Sequence, residues 1–97
     1  MSRDIQERIA TGMVAFWRDR VRHLPGHVIH ETDGVVVCLT GLEDDEQNTA
    51  LIEREPEDAA AALATAEHVF RGHGRSIGVD VERGRHPDVD AALRAMG

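Results

Sequence analysis

The sequence has few aromatic residues and a single cysteine. It contains no tyrosine, and its Phe and Trp side chains are those of Phe16, Trp17 and Phe70. The chain therefore lacks a stacking surface for single-stranded nucleic acid, and it has no phenol that could act as a general acid. Cys38 cannot form an internal disulfide, and its position in the apolar run 35–39 is typical of a buried small side chain. We expect a reducing, cytoplasmic location.

An excess of positive charge and a long apolar run are also missing. Eleven Lys and Arg residues face 18 Asp and Glu residues, which gives a formal net charge of −7. This balance argues against binding to phosphate backbones, so nucleic acid is not expected as a partner. The longest apolar run has five residues, and no basic segment precedes an apolar stretch near the amino terminus. We therefore expect neither a membrane span nor a secretion signal.

The length and the periodicity of the chain predict one small α/β domain. Its 97 residues have the usual size of a single domain, which we place at residues 1–97. Helices are predicted over residues 3 to about 23, 56–71 and 87–97, and strands over residues 27–30, 35–40, 49–54 and 76–82. We expect a three-strand antiparallel meander, whose first hairpin is indicated by Asp33-Gly34, then a crossover through the long helix to a fourth strand parallel to the third. The result is a mixed sheet that carries helices. In the fourth strand, Ile77, Val79 and Val81 alternate with Gly78, Asp80 and Glu82, so one face should be buried and the other wet or ligand-facing.

Each of the three helices has a predicted buried face, which in the last helix comprises Val89, Leu93 and Met96. In the first helix, apolar residues recur at spacings of three and four. Its predicted face comprises Ile5, Ile9, Met13, Phe16, Trp17, Val21 and Leu24. In the long helix, the predicted face comprises Ala59, Ala62, Leu63, Ala66, Val69 and Phe70, and Gly72 or Gly74 is the expected left-handed cap.

A partner surface is a possible role for part of the first helix. Phe16 and Trp17 are adjacent, so their two side chains cannot both point directly at one core. The alternative is that both are buried where the helix meets the sheet. Phe16, Trp17 and Asn48 are the residues that we expect at a possible partner interface.

The sequence predicts no catalytic, cofactor-binding or metal-binding set of residues. His23, His27 and His30 are close together, but Pro25-Gly26 separates the first from the other two. Residues three apart on a strand point to opposite faces, so these imidazoles should not converge on a metal ion. The acidic run 43–46 lacks the interspersed glycine of a calcium loop, and a solvated loop is expected there. His86, just before Pro87, is interpreted as a turn or helix-entry residue.

Seven short parts of the sequence, taken in order, carry a resemblance to a known family. They are Leu24-Pro25-Gly26, Asp33-Gly34-Val35-Val36, Thr40-Gly41-Leu42, Asn48, Arg54-Glu55-Pro56-Glu57-Asp58, Phe70-Arg71-Gly72-His73-Gly74 and Ala95-Met96-Gly97. Their order and spacing, over nearly the whole chain, resembles the amino-terminal half-domain of certain actinobacterial GNAT-superfamily N-acetyltransferases. The resemblance implies a partial GNAT-like sheet that precedes a domain able to bind acetyl-CoA.

The resemblance also implies where an active family member would hold the diphosphate of acetyl-CoA. That place is the turn before the long helix, which in the family carries a Gln/Arg-x-x-Gly-x-Gly/Ala loop. Here residues 53–58 contain no glycine, one proline without an N–H, and four carboxylates. An anion needs free N–H groups and close approach to the backbone. Each carboxylate at a ~4 Å spacing is unfavourable by roughly 1 kcal/mol even in water.

Two further parts of the family's catalytic domain are missing, namely its tyrosine acid and the last two strands. We therefore expect a non-catalytic GNAT-like half-domain without a cofactor, which packs on a catalytic acetyltransferase domain in the same chain or in another chain. One alternative is a stand-alone module that forms a homodimer or binds a small cationic or neutral ligand. Another is an acetyl-CoA-dependent N-acetyltransferase.

Overall fold

The computed structural model describes residues 3–41, 48–81 and 85–96 of the chain. Its elements are α1 (Arg3–Val21), β1 (Val28–Thr32), β2 (Val35–Leu39), β3 (Thr49–Ile52), α2 (Ala59–Gly72), β4 (Val79–Asp80) and α3 (Pro87–Met96). The four strands form one sheet in the order β1-β2-β3-β4. The first three are antiparallel neighbours, and β4 is parallel to β3. The predicted α/β order and topology are confirmed.

The β1–β2 hairpin is closed by a two-residue turn. Thr32 pairs with Val35, and the two turn residues, Asp33 and Gly34, have φ angles of 47° and 79°. Two positive φ angles are typical of a type I′ turn, for which Asp-Gly is a preferred sequence. A Cβ on Gly34 would lie 2.6 Å from the carbonyl oxygen of Arg54. The turn therefore packs closely against the segment that leads from β3 to α2.

The sheet is covered on both faces. Successive side chains of a strand point to opposite faces, so the fully buried strand β2 contributes to two clusters. Val35, Val37 and Leu39 pack with residues of α2 and α3. Val36 and Cys38 pack with residues of α1. The α1 helix therefore lies on one face of the sheet, and α2 and α3 lie on the other.

The α2 helix begins later than predicted. Pro56 was expected at its first position, but the helix begins at Ala59 and its N-cap is Asp58. The side chain of Asp58 accepts the N–H of Ala61 at 3.0 Å, which satisfies one of the free donors of the first turn. The buried face is as predicted, with Val69 partly buried.

The end of α2 is a Schellman motif. Gly74 has a φ of 70° and donates its N–H to Arg71, while Arg75 donates to Phe70, both at 3.0 Å. This pair of bonds is the pattern that a left-handed residue allows after a helix. Of the two predicted caps, Gly74 takes this position.

The buried face of α1 differs from the prediction. Ala10, Val14 and Val21 are buried, and Trp17 packs against the same cluster. The predicted residues Ile5, Ile9, Met13 and Phe16 are exposed. Both sets have spacings of three and four, so periodicity alone cannot decide which of two overlapping faces lies on the sheet. The alternative that Phe16 and Trp17 are both buried is wrong for Phe16.

The carboxyl-terminal elements follow the predicted pattern in shorter form. β4 has two residues, and its alternation is confirmed, since Val79 and Val81 are half-buried and Asp80 is exposed. The predicted strand end at Glu82 and the predicted helix end at Gly97 lie outside the described residues. In α3, Val89 is buried and Leu93 half-buried as predicted. Met96 was predicted to point inward but is 38% exposed, because it lies on the last turn of the helix.

Among the described residues, no helix combines the length and the apolar character needed to cross a membrane.

Candidate functional site

Four large apolar side chains form an exposed row along α1. Ile5, Ile9, Met13 and Phe16 are exposed by 48%, 50%, 46% and 60%. Their spacings of four, four and three residues place them on one side of the helix. We call this row the α1 stripe. At a rise of about 1.5 Å per residue it is roughly 16 Å long. A contiguous exposed apolar surface of this kind is typical of an interaction site.

The three residues predicted at a partner interface occupy different environments. Phe16 belongs to the α1 stripe. Trp17 is half-buried, and the guanidinium of Arg20 lies 5.8 Å from the centroid of its ring, within cation–π distance. Asn48 is 3% exposed, and its Oδ1 accepts the N–H of Thr40 at 2.8 Å. Asn48 thus connects the end of β2 with the start of β3, and its side chain is used inside the fold.

The start of α2 lies against the carboxylate of Asp33 in the hairpin turn. Asp33 accepts the N–H of Asp58 at 2.9 Å and that of Glu57 at 3.0 Å. The Nη1 atom of Arg54 lies 3.4 Å from Asp33 Oδ1. The two N–H groups, first that of Asp58 and then that of Glu57, hold the pKa of Asp33 below its usual value. Desolvation opposes this lowering, and Arg54 adds to it.

These contacts bear on the diphosphate site that the resemblance implies. The N–H groups of Glu57 and Asp58 lie where a diphosphate would need donors, and they already bind an internal carboxylate. Pro56 has no N–H to offer, and the N–H of Ala61 is bound to Asp58. A diphosphate would have to displace Asp33 and approach the surrounding acidic side chains. The residues at this position do not fit the diphosphate of acetyl-CoA.

A cavity of about 270 Å³ lies beside the ends of β3 and β4. Its walls come from α1, from the last residues of β3, from β4 and from the segment before α3. The lining residues are Ile9, Ala10, Met13, Val14, Leu51, Ile52, Asp80, Val81, Arg85 and His86. Ile9 and Met13 belong to the α1 stripe as well, so the stripe borders the cavity on its apolar side.

His86 is the buried polar residue of the cavity. It is 6% exposed, and within the described part of the chain neither ring nitrogen has a hydrogen-bond partner. Its Nδ1 lies 3.8 Å from Glu55 Oε2, which is too far for a hydrogen bond. A buried polar group without a partner costs about 1–3 kcal/mol. Such a group is a candidate for contact with a ligand.

Sequence reasoning missed this cavity for a definite reason. His86 was interpreted as a helix-entry residue, and its carbonyl does accept the N–H of Asp90 at 3.0 Å in the first turn of α3. Its position beside a cavity that α1 and β3 also line depends on the tertiary structure, which no local pattern encodes. Asp80 gave the one available signal, because it lies on the strand face that the alternation predicts to be wet or ligand-facing.

The described side chains offer neither a set of metal ligands nor a reactive thiol. Among residues 3–41, 48–81 and 85–96, no group of three or more His, Cys, Asp or Glu side chains could hold a metal ion. The acidic run 43–46 lies outside the described residues. Cys38 is buried, and desolvation raises the pKa of its thiol to about 11, while the charge of Arg18 opposes this shift. A thiol with this pKa is protonated at neutral pH and is a poor nucleophile.

Comparison of the chain with protein-family models, with curated proteins and with solved structures finds no match. The resemblance to acetyltransferase half-domains therefore stays a prediction that rests on the order of short motifs. Three features of the molecule bear on function: an exposed apolar stripe on α1, a helix start that binds an internal carboxylate, and a cavity with an unpartnered buried imidazole.

Proposed function

We propose that this protein is a non-catalytic, acetyltransferase-like interaction domain that packs through its α1 stripe against a catalytic GNAT-type domain in the same chain or in another chain. The observation that supports the proposal is the exposure of Ile5, Ile9, Met13 and Phe16, between 46% and 60% each. The buried side of the same helix is made of smaller side chains such as Ala10 and Val14. Apart from Trp17, which packs against the core cluster, the larger apolar side chains of α1 are thus on its exposed side.

The free energy that burial of the α1 stripe can contribute limits how tightly the stripe alone can bind a partner. Full burial of a large apolar side chain stabilises by about 1.5–3 kcal/mol. Covering the exposed half of four such side chains would then contribute about 3–6 kcal/mol in total. Association costs an estimated 4–15 kcal/mol in lost freedom of motion. The stripe therefore needs either a wider contact surface or a covalent link to the partner domain, which raises the effective concentration.

Two observations support the non-catalytic part of the proposal. The N–H groups that would hold a diphosphate bind Asp33 instead. The single cysteine, Cys38, is buried and has a raised pKa, so it does not supply a thiolate at neutral pH. A buried free thiol also fits the reducing cytoplasm, where we place the protein.

The test is co-expression with the catalytic domain encoded in the continuing or neighbouring reading frame, recognised by a Gln/Arg-x-x-Gly-x-Gly/Ala loop. We expect a one-to-one complex with the native chain and at least a tenfold weaker complex with the double variant Ile5→Ser/Phe16→Ser. The matched control is Thr11→Ser/Ala15→Ser, which changes two exposed positions of the same helix outside the stripe.

Two results would contradict the proposal. One is equal binding by the stripe variant and the control variant. The other is a dimer of this chain alone, in size-exclusion chromatography with light scattering, that persists on dilution and is broken by Ile5→Ser/Phe16→Ser. The stripe would then bind a second copy of the chain in place of a catalytic domain.

A further inference from the structure

The cavity lies at a position in the sheet that is suited to ligand binding. Among the described strands, β3 and β4 form the parallel pair. The cavity is lined by the last residues of β3, by Asp80 at the end of β4 and by Val81, which follows it. Ligands of open α/β sheets bind in the crevice outside the carboxyl ends of such strands. Here α1 covers one side of the crevice.

The lining of the cavity combines an apolar wall with polar groups of both signs. The apolar wall is formed by side chains of α1 and of β3, among them Ile9, Met13 and Leu51. The polar groups are Asp80, Arg85 and His86, which lie at the end of β4 and before α3. A guanidinium binds a carboxylate in a forked geometry, and an aspartate accepts hydrogen bonds from an ammonium. A ligand that matches this lining carries both charges and an apolar side chain.

We propose that this cavity binds a free amino acid with an apolar side chain. Arg85 binds its carboxylate and Asp80 binds its ammonium, while His86 lies in the buried part of the wall. The side chain of the ligand lies against Ile9 and Met13.

The size of the cavity agrees with this ligand. With about 30 Å³ for each water-sized unit, 270 Å³ holds about nine such units, which is roughly the size of leucine or methionine. The stripe and the cavity share Ile9 and Met13, but Ile5 and Phe16 are not part of the lining, so substitutions at Ile5 and Phe16 test the stripe without changing the cavity wall.

Isothermal titration calorimetry of the whole chain with L-leucine tests the inference. We expect one site with a Kd of about 1 mM or tighter, as suits a ligand of this size. Each of three relatives of leucine removes one recognised group: 4-methylpentanoate lacks the ammonium, leucinamide lacks the carboxylate, and glycine lacks the side chain. We expect each of them to bind at least tenfold more weakly.

Variants assign the polar contacts. Arg85→Gln and Asp80→Asn should each weaken leucine binding about tenfold or more, whereas Arg71→Gln, an exposed position on α2, should leave it unchanged. Ile5→Ser/Phe16→Ser should also bind leucine normally, so failure of the stripe proposal and failure of the cavity proposal can be told apart. Circular dichroism of each variant verifies that it is folded.

The inference is overturned if the native chain gives no saturable heat with up to about 10 mM leucine, a concentration well above the expected Kd. It is also overturned if folded Arg85→Gln binds leucine as the native chain does, or if 4-methylpentanoate binds as tightly as leucine. Either of the last two results would show that the cavity does not recognise the charged groups of an amino acid.

Discussion

On α1, a small truncation on the buried side should lower the stability more than a large truncation on the exposed side. A Phe→Ala change in a protein core typically costs 3–5 kcal/mol. Phe16 is 60% exposed, so only about two-fifths of the roughly 1.5–3 kcal/mol for full burial is present, or about 0.6–1.2 kcal/mol. Alanine also has the higher helix propensity, by several tenths of a kcal/mol. We therefore expect Phe16→Ala to lower the free energy of unfolding by less than about 1 kcal/mol.

Val14→Ala removes less of the side chain but should cost more. Val14 is 2% exposed and packs against the sheet. The lost transfer free energy of its two methyl groups is about 1.6 kcal/mol, and the cavity left behind raises the expected loss to about 2–2.5 kcal/mol. The smaller change on the buried side thus outweighs the larger change on the exposed side.

Urea unfolding measures both effects, followed by far-UV circular dichroism and by the fluorescence of Trp17, the single tryptophan. Coincident transitions by the two probes verify two-state unfolding. The measurement is made at two protein concentrations that differ about tenfold, since a loss that grows with concentration would reveal association through the stripe. A loss of about 3 kcal/mol or more for Phe16→Ala at both concentrations would refute the assignment of the exposed face.

Three further predictions concern the hairpin turn and the buried thiol. The pKa of Asp33 is lowered in the folded protein. The stability that its carboxylate contributes is therefore complete above the unfolded pKa near 4 and is lost as the pH falls through the folded pKa. Urea midpoints should show Asp33→Asn less stable than the native chain near pH 7, with the difference shrinking below about pH 4. Gly34→Ala should destabilise the protein by more than about 1 kcal/mol, because Gly34 has a positive φ and a Cβ there would lie 2.6 Å from the backbone of Arg54. The control Gly12→Ala, in open space on α1, should stabilise the protein by about 0.5–1 kcal/mol. Equal shifts in the thermal midpoint of the two variants would contradict this prediction. The pKa of Cys38 is raised to about 11, so its thiol should resist a disulfide reagent near pH 8 in the folded chain and react fully in urea; rapid reaction of the folded chain would show that the thiol is accessible.

The elements with local signals could be predicted from the sequence. Asp33-Gly34 predicted the hairpin, because few dipeptides tolerate two positive φ angles. The alanine-rich stretch predicted the buried face of α2, because Ala59, Ala62, Leu63, Ala66, Val69 and Phe70 recur at spacings of three and four. The first residue of α2 was predicted too early, because Pro56 and Asp58 are both acceptable near a helix start. In the structure, the side chain of Asp58 accepts the N–H of Ala61 and caps the helix.

Features that depend on contacts between distant elements could not be predicted. The exposed side of α1 is set by which of two similar rows fits the sheet, and Val14 and Phe16 have comparable hydrophobicity in the sequence. The occupation of the α2 start by Asp33 joins residues that are 24 and 25 positions apart. The four carboxylates of residues 53–58 predicted an unfavourable site for a diphosphate there. They did not predict that the carboxylate of Asp33 accepts the N–H groups at the helix start.

The claim that this domain works without acetyl-CoA is tested most directly by calorimetric titration of the chain with acetyl-CoA near neutral pH. The internal contacts of Asp33 with Glu57 and Asp58 predict no saturable heat below about 1 mM ligand. A single-site titration with a Kd of about 10 µM or tighter would contradict the account, because it would mean that the cofactor binds despite the carboxylate already bound at the start of α2.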